Sequence, residues 1–244
     1  METTEYIYGI RAILEAIESD KTIAKVYLLK EADGVLMGQL KSAVKQHHIA
    51  TSYVPIEKLN HLSKNGNHQG AIASISPVAF ADLTTILENR SVEHKETYLL
   101  LDGVTDVRNF GAILRTAECT GVSAVVIPEK GSAPINAATI KTSAGAAFNI
   151  PICKVNHIKD AVFLMQAYGI TTIGATEKSK ELIYDVDLDK TVAIVMGSEE
   201  RGINPSTLKV IDHPIKLPML GTIASLNVSV ACGAMLYEIT RQRL

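Results

Sequence analysis

The sequence predicts an α/β protein in two parts: a small α/β unit followed by a larger parallel-sheet domain. From residue 97 onward, short runs that are apolar throughout alternate with helix-forming stretches. A charged segment holding Asp82, Glu88, Arg90, Glu93, Lys95 and Glu96 separates these from the pattern before it. Strands apolar along their whole length are buried on both faces, which implies a parallel sheet with helices on each side. A length of 244 residues favours one large or two modest domains.

In the first part, Ile10, Ile13, Leu14 and Ile17 recur at helical spacing and predict a helix over 10–19. Val26, Leu28 and Leu29 form an apolar run flanked by charge, predicting a strand over 25–29. A helix over 35–46 and a strand over 71–76 follow, with the polar loop Asn65-Gly-Asn-His-Gln-Gly70 before the last strand. Residues 78–96 read as a linker, partly helical. Beyond it, strands are expected at 98–101, 124–127, 171–174, 192–196 and 214–217, and helices at 111–120, 136–144, 158–167, 205–210 and 226–241. The domains are therefore 1–77, the linker 78–96, and 97–244. In open parallel sheets the ligand crevice lies beyond the carboxyl ends of the strands, and every unusual loop of the second part follows a predicted strand.

Composition removes several classes. The net charge of −2 argues against a broad basic footprint and leaves only local basic patches. Three cysteines, Cys119, Cys153 and Cys232, lie far apart inside apolar stretches and read as reduced thiols of a cytoplasmic protein. The acidic start, Met1-Glu-Thr-Thr-Glu, is not followed by a signal-type apolar run, and no apolar run approaches the roughly 18–20 residues that span a bilayer. No membrane partner is expected. The histidines show no metal-ligand spacing, and only His68 is a candidate for touching RNA. The turn after Leu101 has no Gly-x-Gly-x-x-Gly, no phosphate-cradling Gly-x-x-x-x-Gly-Lys occurs, and no Gly-x-Ser-x-Gly elbow appears. Nicotinamide, nucleotide-triphosphate and serine-hydrolase chemistries fall away.

Three segments remain. Asn109-Phe-Gly-Ala-Ile-Leu-Arg115 puts Asn109 where a helix cap would be and Arg115 about one and a half turns further on. It fits an ordinary cap with a solvated arginine as well as an inward guanidinium fork that holds a phosphate or an ionising hydroxyl. Gly197-Ser-Glu199-Glu-Arg-Gly202 follows an apolar strand; its glycines let backbone approach a ligand, or it is a tight turn with solvated charges. In Leu217-Pro-Met-Leu-Gly221 through Ser225-Leu-Asn227-Val-Ser229, Ser225 is by type a good helix cap. Asn227 enters an otherwise apolar helix, where a buried amide needs several partners.

Together these segments resemble the three ordered motifs of the SpoU, or TrmH-like, RNA ribose 2′-O-methyltransferases, over residues 97–243. Tyr8-Gly-Ile-Arg-Ala-Ile-Leu-Glu-Ala and His68-Gln-Gly-Ala-Ile-Ala resemble the small substrate-binding domain of members acting on a guanosine ribose of 23S ribosomal RNA. The resemblance implies a SPOUT domain with a deep trefoil knot, S-adenosylmethionine as cofactor, an RNA substrate, no metal, and a homodimer whose sites borrow from both subunits through the apolar final helix. It assigns Arg115, Asn109, Glu199, Ser225 and Asn227 to catalysis, and Thr176, Gly197, Leu217, Met219 and Leu226 to the cofactor. Arg115 would orient the 2′-oxygen and stabilise its developing charge, a role better suited to a guanidinium than that of a base. Arg11, Lys41, Lys45, Lys64, Arg108 and Arg201 are the cations available for RNA phosphates. A transfer RNA substrate and a non-catalytic ribosome-assembly protein are the alternatives.

Overall fold

A computed structural model describes residues 5–19, 21–91, 93–222 and 225–244. The reading of the amino terminus falls largely on residues 1–4, and Ile223 and Ala224 lie within the third motif; these are outside the described residues. The chain divides into two compact units, Met1–Ala79 with Ile135–Ala137, and Phe80–Pro134 with Ala138–Leu244.

The first unit runs β1 (Tyr6–Tyr8), α1 (Ile10–Glu18), β2 (Ile23–Leu29), α2 (Val35–Gln46), β3 (Thr51–Val54), α3 (Ile56–Leu62) and β4 (Ala71–Ile75). Its four-stranded sheet has the order β1-β4-β2-β3; β2 and β3 are parallel, and β4 runs antiparallel to β1 and β2. Ile13 and Ile17 of α1 and Met37 and Leu40 of α2 join Val26, Leu28, Ala71 and Ala73 in one buried cluster. Those apolar positions made α1, α2, β2 and β4 readable. The sequence missed β1, β3 and α3, because three, four and seven residues of mixed polarity carry too little periodicity.

The second unit opens with α4 (Leu83–Glu88) inside the charged connector, capped by Asp82, whose carboxylate accepts the Thr85 N–H. It continues with β5 (Thr97–Asp102), α5 (Val107–Cys119), β6 (Ala124–Pro128), α6 (Ala137–Thr142), β7 (Ile152–Val155), α7 (Ile158–Ala167), β8 (Thr171–Ala175), β9 (Val192–Gly197), α8 (Pro205–Leu208), β10 (His213–Ile215) and α9 (Val228–Arg243). The six-stranded sheet has the order β10-β8-β9-β5-β6-β7, every adjacent pair parallel, as the apolar strands required. Leu99, Leu100, Val125, Val126, Ile194 and Val195 are almost wholly buried. The short strand β7 was not anticipated.

The order places the site. From β5 the chain moves outward through β6 and β7, then returns to the other side, where β9 pairs with β5 and aligns Asp102 with Gly197. Ligands of open α/β sheets bind beyond the strand ends at such a reversal.

Two close packings fix the helices there. A Cβ on Gly111 of α5 would overlap Thr142 Oγ1, and the Thr142 hydroxyl itself donates to the Val107 carbonyl at 3.2 Å. At the far end of α9, Arg243 donates to the carbonyls of Leu188, Lys95, Glu96 and Lys190 and to Thr97 Oγ1. Burial lowers the affinity of this guanidinium for its proton. Among the described residues no helix is long and apolar enough to cross a membrane.

Candidate active site

α5 begins at Asp106, whose carboxylate accepts the N–H groups of Arg108 and Asn109, both at 2.9 Å. An acidic side chain suits the unpaired N–H groups and positive end of a helix start. Asn109 is therefore not the cap suggested by the sequence but a residue of the first turn, and its amide is free to reach elsewhere. It donates to Glu199 Oε1 at 2.8 Å.

The start of α9 corrects the sequence in the same way. Asn227, not Ser225, is the cap: its Oδ1 accepts the Ser229 N–H at 3.0 Å, the Val230 N–H at 3.4 Å and the Ser229 hydroxyl at 2.6 Å. With the oxygen so engaged, Nδ2 turns toward α5 and donates to Glu199 Oε1 at 2.7 Å and Asn109 Oδ1 at 3.1 Å. Asn227 is exposed rather than buried; its partners are a carboxylate and a second amide at the surface of the unit.

Glu199 is aimed by its loop. The N–H of Ser198 donates to the Gly202 carbonyl at 3.1 Å and that of Gly202 to the Ser198 carbonyl at 2.9 Å, so residues 198–202 fold back on the end of β9. Gly202 turns at φ +67°, and a Cβ on Gly197 would overlap Gly202 and Ile203. Glycine at 197 is a steric requirement of this return.

Two cavities flank the loop. One of about 340 Å³ lies beyond β8, β9 and β10; Thr176, Gly197, Leu217, Met219, Ser225 and Leu226 line it, so all five expected cofactor residues meet there. Met196, Ala231 and Met235 give it an apolar floor, while Lys178, Arg201 and Lys216 are matched by Glu177, Glu199 and Glu200 around it. The other, of about 620 Å³, is lined by Asp102, Thr105, Asp106, Asn109, Glu199 and Asn204, among others. Glu199 borders both.

Arg115 is not part of this cluster. It is exposed on α5, and its side chain makes no hydrogen bond or ion pair with another described residue. Six residues on from Asn109, it projects from a different side of the helix, since each residue turns about 100°. His68 is buried instead of offered to a ligand: Nδ1 accepts the Gly70 N–H at 3.0 Å, and Nε2 lies 3.0 Å from Asn60 Oδ1. Lys41 is tied down as well, donating to the Ala32 carbonyl at 2.9 Å. Cys153 and Cys232 are core thiols, both pushed up to about 12 chiefly by burial, and Cys119 is exposed.

Sequence reasoning overlooked the cavity floor and Lys178. Met196 closes an apolar strand and Met235 belongs to an apolar helix, so both looked like core. The one available signal for Lys178 was its place just past the end of β8.

The likenesses to known proteins agree with this geometry. Residues 96–237 match the SpoU rRNA Methylase family, and residues 6–81 match the module described as RNA 2'-O ribose methyltransferase substrate binding. The chain is 35% identical over 247 residues to the 23S rRNA (guanosine-2'-O-)-methyltransferase RlmB of Vibrio cholerae, covering 99% of this chain and 98% of that protein. It is 32% identical to the Putative TrmH family tRNA/rRNA methyltransferase YacO of Bacillus subtilis, over 98% of this chain and 96% of that one. The fold is shared with an AdoMet-bound rRNA methyltransferase from Sinorhizobium meliloti, at a TM-score of 0.62 and 22% identity, over 98% of this chain and 87% of that one. An α/β chain with an all-parallel sheet, two strand-end cavities and family matches over both units belongs to the SpoU rRNA methylase family of RNA 2′-O-ribose methyltransferases.

Proposed function

We propose that the protein methylates the ribose 2′-hydroxyl of a guanosine in 23S ribosomal RNA with S-adenosylmethionine as donor. The observation that carries this is the convergence of the Asn109 and Asn227 amides on Glu199, which borders both cavities. Relatives named for that reaction, similar over nearly the full length of this chain, support the substrate.

The smaller cavity fits the donor. About 340 Å³ lies in the range of small-molecule sites. Its apolar floor of Met196, Ala231 and Met235 suits the donor's methylene chain and purine. Thr176, Gly197, Leu217, Met219 and Leu226 would hold it. The bound donor supplies a sulfonium methyl whose transfer discharges its own positive charge, so the reaction calls for no metal.

The chain's residues supply position. Asn109, held by Glu199 and by the Asn227 amide, lines the larger cavity, where its remaining amide hydrogen would fix the ribose; positioning of this kind contributes much of the rate of a group transfer. Ser225 stands at the rim of the donor cavity and would steady the acceptor oxygen. Arg115 orients the 2′-oxygen and stabilises its charge as the hydroxyl proton departs. Its exposure and its separation from the cluster support a homodimer in which Arg115 serves the partner's site, and Val230 and Tyr237, exposed on α9, supply an apolar surface for that contact.

The reading extends to residues 1–77 as the RNA-recognition domain, 78–96 as linker, and 97–244 as a catalytic domain closed by a trefoil knot, all in a cytoplasmic enzyme. The test is incubation of the protein with isotope-labelled S-adenosylmethionine and unmodified 23S ribosomal RNA, followed by nucleoside mapping. Label in 2′-O-methylguanosine is expected; label in a base, or none, refutes the reading.

A further inference from the structure

We infer that Tyr8 is a stacking platform on which the first unit seats an unpaired base of its RNA; this rests on the reading of the protein as an RNA methyltransferase. Tyr8 ends the edge strand β1 and is 44% exposed. Its ring is packed against the loop that follows α3. A Cβ on Gly66 would come within 2.7 Å of Tyr8 Cζ, 2.8 Å of Cε2 and 2.9 Å of the hydroxyl oxygen, so a larger residue there would push the ring away.

The supporting loop is held rigidly from within. The Asn65 N–H donates to the Asn60 carbonyl at 2.8 Å, the Gly66 N–H to the Ser63 carbonyl at 3.0 Å, and the Ser63 hydroxyl to the Leu59 carbonyl at 2.9 Å. Buried His68 bonds on both ring nitrogens, and Gln69 Oε1 accepts the Ile10 N–H at 3.2 Å, tying the loop to the start of α1. Lys64, Asn65 and Gln69 adopt left-handed backbone, with φ of +52°, +62° and +50°. Asparagine tolerates this region, whereas lysine and glutamine are strained there, and such strain persists where surroundings over-determine it, commonly at ligand sites.

What the loop offers outward is nucleic-acid chemistry. Asn65 and Asn67 present exposed amides that can donate to and accept from a base edge, and exposed Lys64 and Arg11 are cations for phosphate. Sequence-tolerant and sequence-specific RNA readers alike stack splayed bases on aromatic rings. The match of residues 6–81 to an RNA substrate-binding module makes RNA the occupant favoured over a protein.

The chain contains no tryptophan, so Tyr8→Trp provides a single emitter. Titrating the full-length Tyr8→Trp protein with unmodified 23S ribosomal RNA transcript should quench that emission at the concentrations where filter retention reports binding. Tyr8→Ala should weaken RNA binding about 10-fold, the usual loss of one stacked base, while affinity for S-adenosylmethionine stays at the wild-type value. Emission unchanged while RNA is fully bound, or undiminished affinity in Tyr8→Ala, overturns the proposal and leaves the ring to a protein contact. A wild-type chain that neither binds nor methylates RNA overturns the underlying reading, and this one with it.

Discussion

Asn227 serves two structures at once: its oxygen caps α9, and its nitrogen, 2.7 Å from Glu199 Oε1, ties that helix to the loop after β9. Two variants separate these duties. Asn227→Ala loses both, costing about 1 kcal/mol of stability for the cap and most of the activity. Asn227→Asp keeps a good cap but replaces the donor with a second carboxylate facing Glu199. Thermal unfolding should leave Asn227→Asp near wild type, while its methyl-transfer rate falls at least as far as that of Asn227→Ala.

Glu199→Gln leaves Asn109 and Asn227 donating to a neutral acceptor, and charge-assisted bonds are roughly twice as strong as neutral ones. Turnover should drop about 10-fold or more, with S-adenosylmethionine affinity, measured by calorimetry, changed only a few fold. A loss confined to donor affinity would reassign Glu199 to the smaller cavity.

Arg115→Ala should abolish methyl transfer and leave donor binding within a few fold. If Arg115 works across a dimer, co-folding inactive Arg115→Ala with inactive Asn227→Ala should restore activity to about a quarter of wild type, since half of the dimers are mixed and each of those has one intact site of two. No recovery on mixing places Arg115 in its own subunit's site.

Burial raises Cys153 and Cys232 to about 12, so neither forms thiolate at neutral pH in the folded protein. Iodoacetamide at pH 8, followed by mass spectrometry, should mark exposed Cys119 first and the other two only as denaturant unfolds the chain.

Glu238 is held below its ordinary value of 4.5, first by the hydrogen bond from Arg241 and further by the Gln242 amide, against the opposing effect of burial. A depressed carboxyl contributes stability that is present above its unfolded value and is lost as pH falls through the lower folded value. Melting temperature should therefore decline below about pH 4.5, and Glu238→Gln should make that decline shallower.

The parallel sheet was legible because runs such as Leu99-Leu-Leu101 and Val192-Ala-Ile-Val-Met196 admit no solvent face. Thr176, Gly197, Leu217, Met219 and Leu226 line one cavity, but only the family resemblance named them together, since three of the five are apolar side chains that read as core. Helix starts were misread. Asn109 and Ser225 are good caps by type, but composition cannot choose between Asp106 and Asn109, or between Ser225 and Asn227, when capable side chains lie two or three residues apart. Nor could spacing reveal that His68 faces inward, because Asn60 and the Gly70 N–H reach it only once the loop has closed.

The loop 198–202 is a single partition with a cavity on either side. Whatever one guest does to the rigidity or tilt of that partition, the other must feel to the same extent, because linkage between two bound species is reciprocal. A change in the loop that alters this coupling will thus show by the same factor in the affinity for either guest when the other is bound.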